Sequence, residues 1–152
     1  MPFIILIYIF TINRLMAKDL YHNVVKNALV NEGWTVTHDP YPLKIGSVRM
    51  FIDLGAERII AAEKGNEKIA VEIKSFSDDS LISMFHEAVG QYDNYQIALE
   101  DEEPNRILFL AVPESIYDSF FQEPFVQKVI FKRQIKIIVY QPDNENSIVW
   151  KK

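Results

Sequence analysis

The stretch Lys68-Ile69-Ala70-Val71-Glu72-Ile73-Lys74-Ser75 decides how this chain is read. Apolar Ile69, Val71 and Ile73 alternate with Ala70, Glu72 and Lys74, the period-two pattern of a strand with one face against a core. Residues two apart on a strand point the same way, so Glu72 and Lys74 carry a carboxylate and an ammonium side by side on a rigid element. The simplest reading is a salt-bridge pair on the solvated face of an antiparallel sheet. The other is a charged constellation with chemistry to do, and the neighbouring segments bear on which holds.

The chain has 152 residues, 49% of them hydrophobic and 12% aromatic, which suits one globular domain with a substantial core. It contains no cysteine, so disulfides, thiolate zinc sites and thiol catalysis are excluded and a cytoplasmic setting fits. A net charge of −5 argues against a broad positive field for coating nucleic acid.

Pro2 to Ile12 is nearly all apolar, but a run of about eleven residues is short of the roughly twenty that span a bilayer. Arg14 and Lys18 follow the run instead of preceding it, unlike a secretory signal. The segment reads either as an extra edge strand or docking segment, or as an over-extended start with Met16 the first functional residue. The second is preferred, giving an apolar extension over 1–15 and one domain over 16–152.

From Lys18 to Asn31 the apolar spacing predicts a helix, stopped by Gly33. Strands are expected over Trp34–Thr37, Arg49–Leu54 and Ile59–Ala62, with Gly65-Asn66 as the hairpin turn into the Glu72 strand. Asp53 lies on the second of these. If it meets Glu72 at one end of the sheet, the two carboxylates repel, and a divalent cation with oxygen ligands reconciles them. A long helix over Asp78–Glu100 buries Leu81, Phe85, Ala88, Val89, Tyr92 and Leu99, and an adjoining face carries Gln91 and Tyr95 one turn apart.

Glu100 to Pro104 reads as a solvated acidic loop, and Arg106 to Val112 as a buried strand. Helical pieces over Glu114–Phe121 and Pro124–Arg133 and strands over Lys136–Tyr140 and Ser147–Trp150 complete the chain. Lys128, Lys132, Arg133 and Lys136 form a basic cluster that suits either a phosphate or a helix C-terminus. His22 stands one turn from Asp19 on the first helix, and the three histidines show no zinc-ligand spacing.

In this order of elements, Asp53, Glu72-Ile73-Lys74 and Gln91-x-x-x-Tyr95 resemble the PD-(D/E)xK nuclease superfamily. Trp34-Thr35-Val36-Thr37-His38-Asp39-Pro40, Ile52-Asp53-Leu54-Gly55-Ala56-Glu57 and Val71-Glu72-Ile73-Lys74-Ser75-Phe76 are similar to one branch, the XisH family, the fdxN-element excision controlling factors of cyanobacteria. The resemblance implies a restriction-endonuclease-like α/β core, a mixed central β-sheet flanked by helices. It implies that Asp53, Glu72 and the Ile73 carbonyl hold Mg²⁺ or Mn²⁺, and that Lys74 orients a water and stabilises charge on the phosphate. Gln91 and Tyr95 would fix the lysine or a phosphate oxygen, and His22, or in its stead Asp19, occupies the place of a first-helix acid, where a histidine departs from the acidic pattern.

The implied partners are DNA, the companion factor XisI and a site-specific recombinase, with a homodimer a further possibility and no membrane. Two functions follow: a metal-dependent endonuclease acting in excision of a chromosomal element, or a non-catalytic accessory module of nuclease fold that binds a companion factor or recombinase. A purely structural α/β domain is the third reading.

Overall fold

The computed structural model describes residues 2–45, 48–49, 59–77 and 80–152. Helix α1 (Pro2–Asn31) stops where Gly33 adopts a φ of 94°, a left-handed conformation that glycine takes without a Cβ clash. The apolar segment, for which an edge strand is one expectation, is instead helical and forms the first half of α1. It leaves Phe3, Ile4, Leu6, Tyr8 and Phe10 exposed, whereas Val24, Val25, Ala28 and Leu29 in the second half are buried. No described helix is long and apolar enough to cross a membrane.

Strands β1 (Thr35–His38), β2 (Lys44–Ile45), β3 (Val48–Arg49), β4 (Ile59–Lys64) and β5 (Glu67–Ile73) follow, then α2 (Leu81–Glu102) and β6 (Arg106–Pro113). The chain continues through α3 (Glu114–Asp118), a single 3-10 turn at Phe120–Gln122, α4 (Pro124–Arg133), β7 (Ile137–Gln141) and β8 (Asn144–Lys151). The main sheet has the order β1-β4-β5-β6-β7-β8. Strands β5, β6 and β7 run parallel, while β4 and β8 pair antiparallel with β5 and β7. This is the mixed central sheet flanked by helices expected from the sequence.

Strand β5 has neighbours on both edges and helices over both faces. Ile69, Val71 and Ile73 pack with Val24, Val25 and Leu29 of α1. Ala70 packs on the opposite face with Phe85, Ala88, Tyr92 and Tyr95 of α2, and Phe121 and Val126 extend that cover. Fully burying side chains such as Phe85, Leu108 or Leu110 stabilises the fold by about 1.5–3 kcal/mol each. The solvated antiparallel face read from alternation is absent: β5 is parallel to β6, and its charged face lies under α2. Parallel strands need a crossover, and a crossover helix covers the face it crosses.

The acidic loop is also corrected. Glu100 to Glu102 form the last turn of α2, and Glu103 ends the helix with its N–H on the Leu99 carbonyl. Its carboxylate then turns back to Arg106, only 3% exposed, accepting from Nε at 2.6 Å. Arg106 also donates through Nη1 to the Ile69 carbonyl at 2.9 Å and lies 5.1 Å from the centre of the Tyr41 ring. The Tyr41 hydroxyl donates to the same Glu103 carboxylate. Thus the N-terminal ends of β5 and β6, the end of α2 and the loop after β1 meet on one guanidinium.

The Arg106 hydrogen bond holds the Glu103 carboxyl at about 2, against an ordinary 4.5, although partial burial opposes this. A carboxyl lowered on folding contributes stability above its unfolded value and loses it as pH falls toward the folded one. With its side chain 33% exposed, the contribution is on the order of 2 kcal/mol. Glu103→Gln should lower stability by about that much at neutral pH, with the difference from the parent closing between pH 4.5 and about 2 in urea-denaturation series. An unchanged gap across that window would contradict this assignment.

Candidate functional site

The end of β5 places Glu72 and Lys74 under α2 with relative exposures of 2% and 7%. Lys74 Nζ lies 3.5 Å from Glu72 Oε1 and donates to Gln91 Oε1 at 2.6 Å. Gln91 Nε2 in turn donates to Glu87 Oε1, one helical turn earlier, at 3.3 Å. Tyr95, one turn after Gln91, is 9% exposed, and burial followed by the charges of Glu72 and Glu87 pushes its phenol well above the ordinary tyrosine range. Burial likewise raises Tyr92, with a smaller contribution from Glu72. Glu72, Lys74, Gln91 and Tyr95, separated widely in sequence, therefore form one charged cluster.

Helical spacing explains the company. Phe85, Ala88, Tyr92 and Leu99 fall on the buried stripe, which turns Gln91 and Tyr95 toward the end of β5. Ser80 caps the helix, its hydroxyl accepting from the Ser83 N–H at 3.3 Å. The backbone of Lys74 is pinned as well: its N–H donates to the Ala111 carbonyl at 2.9 Å, and its carbonyl accepts from the Tyr140 hydroxyl at 2.9 Å. Two residues later Phe76 takes a left-handed φ of 53°, turning the chain from the strand with its ring edge-on to Phe121 at 5.4 Å. A non-glycine residue at such a φ is held there by its packing, and such positions concentrate at functional sites.

Asp53 lies outside the described residues, so its convergence with Glu72 does too. His22 makes its contact across elements. Its Nε2 is 3.0 Å from Asp39 Oδ2, and the same oxygen accepts from Lys26 Nζ at 2.9 Å. Burial works against the charged Asp39 carboxylate, but the hydrogen bonds from Lys26 and His22 outweigh it and hold the carboxyl below its ordinary value. His22 and Lys26 stand one turn apart on α1, so this cluster ties the helix to the end of β1. No periodic spacing paired Asp39 with His22, which lies 17 positions away on another element.

In the basic cluster, Arg133 lies 3.7 Å from Asp93 of α2. With Lys136, Tyr92 and Gln96 it lines a cleft of about 340 Å³ between α2, β6 and the end of α4. Gln134 closes α4 in the left-handed region with Lys132 and Arg133 in the last turn, the arrangement of a helix C-terminus that attracts cations.

Glu72 offers a buried carboxylate and Ile73 a main-chain carbonyl; both are hard oxygen donors, the type Mg²⁺ and Mn²⁺ take. No three His, Asp or Glu side chains among the described residues gather as a ligand set. The donor types fit such an ion, and Asp53 is the further carboxylate expected from the sequence.

The model of the XisH family, described as XisH protein, matches residues 15–149. The chain belongs to the XisH family. The crystal structure of an XisH family protein from Nostoc punctiforme PCC 73102 is 42% identical, with a TM-score of 0.80 over 88% of this chain and 99% of that one. That of an fdxN element excision controlling factor protein from Anabaena variabilis is 43% identical, with the same TM-score and coverage. No curated protein matches the chain. The XisH match begins at Leu15, leaving the first turns of α1 outside it.

The Glu72–Lys74 pair yields a prediction that needs no activity. Removing one member of a buried ion pair strands the other charge at a cost of about 3–5 kcal/mol, whereas neutralising both is nearly neutral. Lys74→Met should therefore destabilise this XisH protein by about that amount, and adding Glu72→Gln should restore most of it. The measurement is a double-mutant cycle by urea denaturation, and strictly additive losses would contradict the coupling.

Proposed function

We propose that this chain acts in controlled excision of a chromosomal DNA element, and that the cluster at the end of β5 is a nuclease-type centre for phosphodiester hydrolysis. The observation that carries the proposal is the burial of Glu72 and Lys74 together, with Gln91 on the ammonium and Tyr95 alongside. Stabilising a surface needs no such arrangement. Two charges under a crossover helix cost desolvation that apolar residues of the same size avoid, so their retention favours a chemical task. Membership of the XisH family, and 43% identity to a protein titled as an fdxN element excision controlling factor, support the setting in DNA excision.

In this reading Glu72, the Ile73 carbonyl and Asp53 would hold Mg²⁺ or Mn²⁺, which when bound would polarise the scissile phosphate and acidify a water. Lys74 places a positive charge where the phosphate gains negative charge in the transition state, inside a site already shielded from water. Gln91 fixes the direction of that ammonium. Tyr95, kept neutral by its surroundings, serves as a hydrogen-bond donor to a phosphate oxygen. DNA is the substrate, and the sequence resemblance adds XisI and a site-specific recombinase as partners.

A second reading is supported by charge. A net charge of −5 disfavours unaided binding to a polyanion, which suits an accessory module that works through a companion factor supplying the basic surface. Calorimetric titration with Mn²⁺ and plasmid-nicking assays, run on the parent, Glu72→Ala and Lys74→Ala, separate the two. The catalytic reading expects metal binding that Glu72→Ala abolishes, and nicking that Lys74→Ala lowers by at least about 100-fold without loss of metal. Metal-free parent protein that still supports excision in cells would favour the accessory module.

A further inference from the structure

Gln91 differs in kind from its neighbours, because a carboxamide can present either its oxygen or its nitrogen to Lys74. Lys74 Nζ, donor-only as an ammonium, meets Gln91 Oε1 at 2.6 Å. On the other side Glu87 Oε1, acceptor-only as a carboxylate, takes the Gln91 Nε2–H at 3.3 Å. Ends of opposite kind leave the amide one arrangement. Rotating it by half a turn would set an NH₂ against an ammonium and an oxygen against a carboxylate, both repulsive. The orientation of the Gln91 amide is thus set by the Glu87 carboxylate on one side and the Lys74 ammonium on the other.

Glu87 is exposed on α2, where its i, i+4 spacing to Gln91 would ordinarily mark a weak surface contact. Here the contact leads inward, since Gln91 is half-buried and Lys74 is buried beneath it. The Glu87 charge also bears on Tyr95, so one surface carboxylate acts on two members of the cluster.

We propose that Glu87 is a positioning residue: it fixes the Gln91 carboxamide with its oxygen toward Lys74 and so aims the ammonium across the Glu72 carboxylate. Its catalytic consequence rests on the nuclease reading above, whereas the relay itself is a matter of geometry. Losing the Glu87 acceptor leaves only the Lys74 ammonium to hold the amide, and a cation at 87 competes with Lys74 for its oxygen. Where the oxygen turns toward residue 87, the Lys74 ammonium faces an NH₂ and moves off its line to the phosphate.

The full chain, labelled with ¹³C and ¹⁵N, would be studied by NMR for scalar coupling across the hydrogen bond from Lys74 Nζ to Gln91 Cδ. The coupling is expected in the parent, reduced in Glu87→Ala and lost in Glu87→Lys. It should return when Gln91→Glu is added to Glu87→Lys, because a carboxylate at 91 accepts from both lysines. Urea midpoints report folding, and should Glu87→Lys fail to fold, Glu87→Ala carries the comparison. Coupling of equal size in the parent and in folded Glu87→Ala overturns the relay.

In the nicking assay Glu87→Ala should lower kcat by about tenfold with KM unchanged, the mark of a misaimed group and not of lost binding. A parent that neither binds Mn²⁺ nor cuts DNA, yet whose coupling is reduced by Glu87→Ala, overturns the catalytic reading and keeps the relay.

Discussion

Burying the Glu72 carboxylate and the Lys74 ammonium beneath one helix is the constraint on which the rest of the arrangement depends. Each ion loses hydration worth several kcal/mol, and their attraction offsets that only with good geometry and further hydrogen bonds. The strand supplies the first requirement by putting the two side chains on one face, with Nζ 3.5 Å from the carboxylate. Helix α2 supplies the second through Gln91, and small Ala88, fully buried, lets the helix approach the strand. The parallel neighbour β6 and the Tyr140 hydroxyl fix the backbone from which Lys74 projects.

Two further ion clusters hold the layers in register around that site. At the start of β5 and β6, Arg106 gathers Glu103, the Ile69 carbonyl and the Tyr41 ring. At the end of β1, Asp39 gathers His22 and Lys26 of α1. One fastens α2 to the sheet and the other fastens α1, so both covering helices are tied by charge as well as by apolar contact. Such ties contribute direction more than net energy, because a buried ion pair gains little over an apolar replacement of the same shape. What they specify is where each helix sits along the sheet, and therefore which turn of α2 faces Glu72.

Family membership and site geometry bear on different questions. Likeness over 88% of the chain to two solved structures, an XisH family protein and an fdxN element excision controlling factor protein, carries the fold. The chemistry rests on a handful of side chains, since one fold can host many functions.

The sequence by itself determined the elements whose signals are local. Alternation marked β5, Gly65-Asn66 marked its hairpin with β4, and Pro124 at the first position with cations in the last turn bounded α4. Spacing alone brought Gln91 and Tyr95 to one helix face, and the structure places them against Glu72 and Lys74. Only the tertiary structure decided that the charged face of β5 is buried. Alternation reports which side chains share a face and says nothing of what covers it, and the cover here comes from a crossover to a parallel strand. The same limit hid Arg106, which reads as a boundary charge until four segments close on it, and the Asp39–His22 contact, which bridges elements with no periodic relation. It also hid the continuity of α1, because an apolar run with no polar face fits helix and strand alike until the neighbouring turns fix its hydrogen bonding.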